Sequence, residues 1–191
     1  MKNSQNFKYF FIIAAAGAFA SCSNAVTEDT KNVANLSNEI TAETDSSFRK
    51  ADAKLLVNAA ELSLAEVQLA QLAQTSNKSV EVRVLAKKIE DTHNKLYKDL
   101  ELMARKNKIE IPNSITPSGM EAYNILNTKS KKEFNSSYCT MTASNHQIAI
   151  NLYEKIASTS KDTSLVTWAG SVIPELRANM DEAQVTLSKI K

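Results

Sequence analysis

Glu90-Asp91-Thr92-His93 sets a carboxylate three residues before one of only two histidines in this 191-residue chain. On a helix that spacing puts both side chains on one face, which is how carboxylate-bridged metal bundles present a Glu-x-x-His pair. A dinuclear site of that kind takes a Glu from each of two helices and a Glu-x-x-His from each of two others. This chain offers less. The other histidine, His146, has Ala143 three residues before it, and Asn179 has Leu176. What remains is a site for a single transition-metal ion at Glu66, His93 and His146, with Glu90 at its flank and Asn179 as a polar neighbour. The same residues fit a metal-free arrangement, in which a buried carboxylate and imidazoles satisfy one another by hydrogen bonding. The sequence favours this network, with the ion as the alternative, and offers no catalytic residue.

The helices that must carry these residues follow from periodicity. No Gly or Pro occurs between residues 18 and 111 or between 120 and 169, and both stretches are rich in helix formers. A first long helix is predicted from about Ser47 to Gln74, with Phe48, Ala51, Leu55, Ala59, Leu62, Leu69 and Ala73 three or four apart. Glu66 fills the missing step between Leu62 and Leu69. After a turn capped by Ser79, a second helix runs to about Asn107, and His93 fills the step between Ile89 and Leu96. Pro112 and Pro117 mark a connection, with a short accessory helix over Met120 to Leu126. The third long helix spans about Ser130 to Ser158, with Phe134, Tyr138, Met141, Ile148, Leu152 and Ile156 as its stripe and His146 on the adjoining edge. The fourth starts near Ser164 and carries Leu165, Trp168, Val172, Leu176, Ala183 and Leu187. Asn179 stands in that stripe, and Pro174 is expected to kink or restart the helix. Four such helices make an all-α antiparallel bundle, with the accessory helix in the crossover. Residues 47–191 form one domain large enough to bury a sizeable core.

Other function classes are excluded. With 23 Lys+Arg against 21 Asp+Glu, the charge is balanced, and loss of Lys2 and Lys8 with a cleaved signal leaves the chain formally neutral. An interspersed, balanced chain has no electrostatic footprint for nucleic acid. Only Gly119 and Gly170 follow the signal, so there is no glycine-rich phosphate loop, and no nucleophile-elbow pattern occurs.

The amino terminus speaks to compartment. Lys2 and Lys8 precede the uncharged run "YFFIIAAAGAFA" at residues 9–20, too short to span a bilayer and ordered like a secretory signal. It ends in "FASC", and a cysteine behind Ala20 and Ser21 resembles the lipobox of bacterial lipoproteins. That resemblance implies a signal over residues 1–21 and lipid on Cys22. The membrane is then a partner through Cys22, and the protein is exported and anchored, at the outer membrane facing the periplasm or the cell surface. Residues 22–46 lack aromatic and most large aliphatic side chains and are expected to form a flexible tether, with weak helix around Val33 to Glu43. With Cys22 lipidated, Cys139 has no intramolecular disulfide partner and is read as a small buried apolar residue.

The segments "AELSLAEVQLAQLA", "LAKKIEDTHNKLYKDLELMARKNKIEIP", "EFNSSYCTMTASNHQIAINLYEKIA" and "VIPELRANMDEA" together resemble a bacterial family of unknown function with a ferritin-like fold. Its members are commonly labelled outer-membrane or periplasmic proteins, many with lipoprotein signals. The resemblance spans about residues 47–189. The family's signature falls on Glu66, His93, Phe134 with Asn135, His146, and Pro174 with Asn179. Asn135 stands where the family has Asp, and Asn179 where it has His. The resemblance implies a ferritin-like four-helix bundle but assigns no chemistry. Two roles stay open: a lipid-anchored, non-enzymatic envelope or stress accessory that binds an envelope partner or itself, and a metalloprotein that binds or oxidises a transition metal.

Overall fold

A computed structural model describes residues 29–44, 50–76 and 79–190, and it is helical throughout with no strand among them. The six helices are α1 (Thr30–Thr44), α2 (Lys50–Ser76), α3 (Val80–Lys106), α4 (Pro117–Asn127), α5 (Lys131–Thr159) and α6 (Thr163–Ile190). The signal, Cys22 and Phe48 lie outside the described residues.

Local chemistry sets the helix ends. The Ser79 hydroxyl accepts from the Val82 N–H at 3.3 Å, satisfying one of the orphan donors that open α3. Thr116 does the same for Gly119 at 3.3 Å in α4, and Pro117, expected only in a connection, occupies the first turn, where its missing N–H costs nothing. The Asp162 carboxylate accepts from the N–H groups of Ser164 at 2.8 Å and Leu165 at 3.2 Å, opening α6. The chain leaves α3 through Lys108 at φ 55°, a left-handed turn that lets the Ile109 N–H reach the Ala104 carbonyl at 2.8 Å.

α2, α3, α5 and α6 pack side by side. Paired contacts fix their directions: Ser63 meets His93 and Gln74 meets Glu90 between α2 and α3. Asp52 meets Ser160 and Glu66 meets Asn145 between α2 and α5, while Glu154 meets Arg177 between α5 and α6. Thr92 meets Asn179 and Lys88 meets Glu182 between α3 and α6. Every neighbouring pair is antiparallel, so α3 and α5 run the same way and the segment carrying α4 must cross the length of the molecule between them. α4 lies on α2 at Gly119, where an added Cβ would come 3.2 Å from the Ala65 Cβ and 2.8 Å from Ile115 Cγ1.

The apolar core falls into two clusters. Leu56, Leu100, Ile150, Ile156, Leu165 and Leu176 centre one, and Leu72, Leu85, Ile89, Phe134, Tyr138 and Ala183 the other. Between them lies a buried polar belt of Ser63, Glu66, Thr92, His93, Thr142, His146 and Asn179.

The structure corrects or refines several expectations. Residues 30–44, expected within a flexible tether, form α1, where weak helix was considered. Few apolar groups hold it, but Ala34 is buried and Asn38 clamps the backbone of Glu110 with two 2.8 Å hydrogen bonds, one given and one received. Lys31 pairs with Glu61 on α2. Ile148, expected in the inward stripe of α5, is 56 % exposed, whereas Thr142, His146, Ala149 and Tyr153 are buried. Choosing positions by apolar type set the stripe about a third of a turn off, because the true inward face is partly polar. α6 runs through Pro174 without restarting. The carbonyl that Pro174 leaves without an intrahelical donor belongs to Gly170, an exposed residue.

Candidate metal centre

Each long helix gives the belt at least one fully enclosed polar side chain: Glu66 from α2, His93 from α3, His146 with Thr142 from α5 and Asn179 from α6, all at most 1 % exposed. One ligand atom from each of Glu66, His93 and His146 lies within 4.8 Å of the others. Glu66, His93 and His146 thus meet between the two apolar clusters.

The hydrogen-bond partners fix the protons. His146 Nδ1 is 2.9 Å from the Thr142 carbonyl, which can only accept, so Nδ1 carries the hydrogen and Nε2 presents its lone pair to the core. His93 Nε2 faces that atom at 3.4 Å, with the rings edge to face at 85°, and its Nδ1 is 3.5 Å from Ser63 Oγ. Without a metal, Ser63 donates to His93 Nδ1 and His93 Nε2–H to His146 Nε2. A metal would require the other tautomer of His93, with Nδ1–H donating to Ser63 and both Nε2 atoms unprotonated and able to act as ligands. The first arrangement uses two contacts at the weak end of the hydrogen-bond range. The second matches a metal site: two nitrogens bound to one tetrahedral ion at about 2.0–2.1 Å stand about 3.3–3.4 Å apart.

Glu66 sharpens the distinction. Oε1 accepts from Asn145 Nδ2 at 2.5 Å, while the buried Oε2 has no hydrogen-bond partner. Its approach of 3.9 Å to His146 Nδ1 is not an ion pair. Burial, only partly offset by the backbone hydrogen bond at Thr142, lowers the pKa of His146 to about 4, so the ring is neutral whenever Glu66 is ionised. Burial, and then the neighbouring His146, hold His93 well below the ordinary imidazole value. Burial raises Glu66 to about 7 against the opposing hydrogen bond from Asn145. At neutral pH the site therefore holds two neutral imidazoles and a carboxyl group near its midpoint, and among the described residues no Lys or Arg pairs with it. A bound dication would supply the missing charge.

Glu90 does not join the centre. Its carboxylate accepts from Gln71 Nε2 at 2.9 Å and Gln74 Nε2 at 3.0 Å, on the seam between α2 and α3. The hydrogen bonds from Gln74 and Gln71 hold it below the usual carboxylate range. One turn before His93 and rotated around the helix, it is captured by α2 before it can reach the core. Asn179 donates from Nδ2 to Thr92 Oγ1 at 3.1 Å, and Oδ1 is buried without a partner. Cys139 is a buried free thiol, pushed up to about 11 by burial.

Sequence reasoning missed the supporting residues Ser63, Asn145, Thr142 and Thr92. Ser63 and Thr142 stand three and four residues before Glu66 and His146, a spacing that puts them on the same helix faces.

No curated protein and no solved structure matches the chain. A family model does match, over residues 37–186, and takes in α2, α3, α5 and most of α6. The chain belongs to the family described as Domain of unknown function (DUF4142).

Proposed function

We propose that this chain is an exported, lipid-anchored protein of the cell envelope whose ferritin-like four-helix bundle binds a single divalent transition-metal ion at Glu66, His93 and His146. One observation carries the metal reading: two imidazole Nε2 atoms 3.4 Å apart beside a buried carboxylate oxygen that lacks any partner. Asn145 orients the carboxylate, and Thr142 and Ser63 orient the imidazoles, as the outer partners of metal ligands do. The ion's chemistry there is coordination of a fixed donor set. With every donor residue at most 1 % exposed, substrate has no open face to approach, so the role is binding and not turnover. The antiparallel neighbours and the crossover between α3 and α5 support the ferritin-like topology.

The membrane attachment rests on the amino-terminal pattern up to Cys22. Among the described residues no helix is long and apolar enough to cross a membrane.

A second reading, a structural network without metal, is favoured by the relay from Ser63 through His93 and His146 to Thr142, which gives all four imidazole nitrogens a partner. Thermal unfolding of chelator-treated protein with and without Zn²⁺ separates the two. An ion bound only by the folded state raises Tm in unmodified protein and not in His93→Leu. An equal response, or none in either, leaves the network.

A further inference from the structure

Two buried oxygens of the polar belt lack partners: Glu66 Oε2 and Asn179 Oδ1. The first belongs to the centre already described. The second is on the one long helix, α6, that contributes no donor to that centre.

The orientation of the Asn179 amide is fixed by its neighbours. Thr92 Oγ1 lies 3.3 Å from Glu175 Oε1, and a carboxylate can only accept, so the hydroxyl hydrogen goes to Glu175. Thr92 Oγ1 must therefore accept at its other contact, and the group 3.1 Å away on Asn179 is the NH₂ and not the carbonyl. That assignment leaves Oδ1 with its lone pairs free in a 0 % exposed position. The pairing of α6 with both neighbours puts Asn179 in the same layer as the imidazoles. On α3 its partner Thr92 directly precedes His93. On α5 the contacts of Tyr153 with Trp168 and Glu154 with Arg177 bracket a register in which His146 lies opposite Asn179.

We propose that Asn179 is the fourth donor of the metal centre, its carboxamide oxygen completing a two-nitrogen, two-oxygen set for one divalent ion of the zinc class. The inference rests on the metal reading above. Two imidazoles, one carboxylate and one neutral carbonyl suit a borderline ion at four-coordinate geometry. The Glu175–Thr92–Asn179 chain polarises the amide: the carboxylate draws the hydroxyl, the hydroxyl accepts from the NH₂, and the carbonyl oxygen gains electron density. The second carboxylate thereby acts on the ion through two hydrogen bonds without entering the core. Such outer partners change metal affinity by roughly 10–100-fold.

The test uses the full chain in detergent, with Zn²⁺ titrated against a chromophoric chelator. Unmodified protein is expected to bind one equivalent, and Asn179→Leu, which keeps the branched shape of the side chain, to bind it more weakly by a factor larger than the roughly 10–100-fold that loss of an outer partner costs. Thr92→Val is expected to weaken binding by a smaller factor with the donor still present. Unchanged affinity in Asn179→Leu overturns the fourth-donor assignment and leaves the three-residue centre intact. No binding by unmodified protein removes the centre itself, and this inference with it. Should Asn179→Leu fail to fold, a crystal structure of the zinc-loaded unmodified chain decides. Oδ1 at about 2.0–2.2 Å from the ion supports the assignment, and a water in that position overturns it.

Discussion

Nε2 of His93 and Nε2 of His146 face each other 3.4 Å apart across the core, from helices that run in the same direction and are joined only by a long crossover. Two unprotonated nitrogens at that separation repel unless a proton or a cation lies between them. The buried carboxyl of Glu66 beside them gives the site a pH signature.

Glu66 is raised from 4.5 to about 7, chiefly by burial. Below pH 4.5 the carboxyl is protonated in folded and unfolded chains alike, and its full relative stability is present. As pH rises from 4.5 to about 7 the unfolded chain ionises while the folded chain resists, so stability is lost. Glu66→Gln never ionises. In the presence of a chelator, the stability of unmodified protein relative to this variant is expected to fall by about 3 kcal/mol between pH 4.5 and 8. His146, lowered to about 4, has the opposite sign, contributing stability above pH 6.5 that is lost on acidification, and it is common to both proteins. Denaturant unfolding across the range checks this; a flat difference would mean that Glu66 titrates normally.

The docking of α1 rests on Asn38. Asn38→Ala removes both 2.8 Å bonds to Glu110 and leaves partly buried backbone groups without partners, at a cost of roughly 1–3 kcal/mol. Amide hydrogen exchange is expected to show lost protection over residues 30–44, with the four long helices unaffected. Unchanged protection would show that Ala34 and the Lys31–Glu61 pair suffice.

Cys22→Ser is expected to move the protein from the membrane fraction to the soluble fraction without detergent. Each lipid chain contributes roughly 0.8 kcal/mol per buried methylene, so several on one residue anchor firmly and their loss is decisive. A variant that stays membrane-bound would show that an uncleaved signal or the bundle itself holds the lipid.

Much of the candidate site was legible in the sequence because Glu66, His93 and Asn179 interrupt otherwise apolar stripes at helical period, and an interruption on an inward face is a buried polar group. His146 was placed one step off, since Thr142 and Asn145 make the inward face of α5 partly polar and Ile148 offered a misleading apolar alternative. Glu90 was included on spacing alone, and only the packing of α2 shows its carboxylate held by Gln71 and Gln74. α1 was hard to foresee for a different reason. Its docking draws on one asparagine meeting a backbone segment 72 residues away, a match that no local pattern records. At Pro174 the sequence left a kink or a restart open, and the continuous α6 removes the restart.

Metal content of the full chain, purified without added metal, saturated with Zn²⁺ and then desalted, tests the central claim most directly. Elemental mass spectrometry is expected to find one zinc per chain in unmodified protein and none in His93→Leu or Glu66→Gln. Substoichiometric zinc that is equal in all three proteins would contradict the metal centre and leave the buried belt as a hydrogen-bonded network.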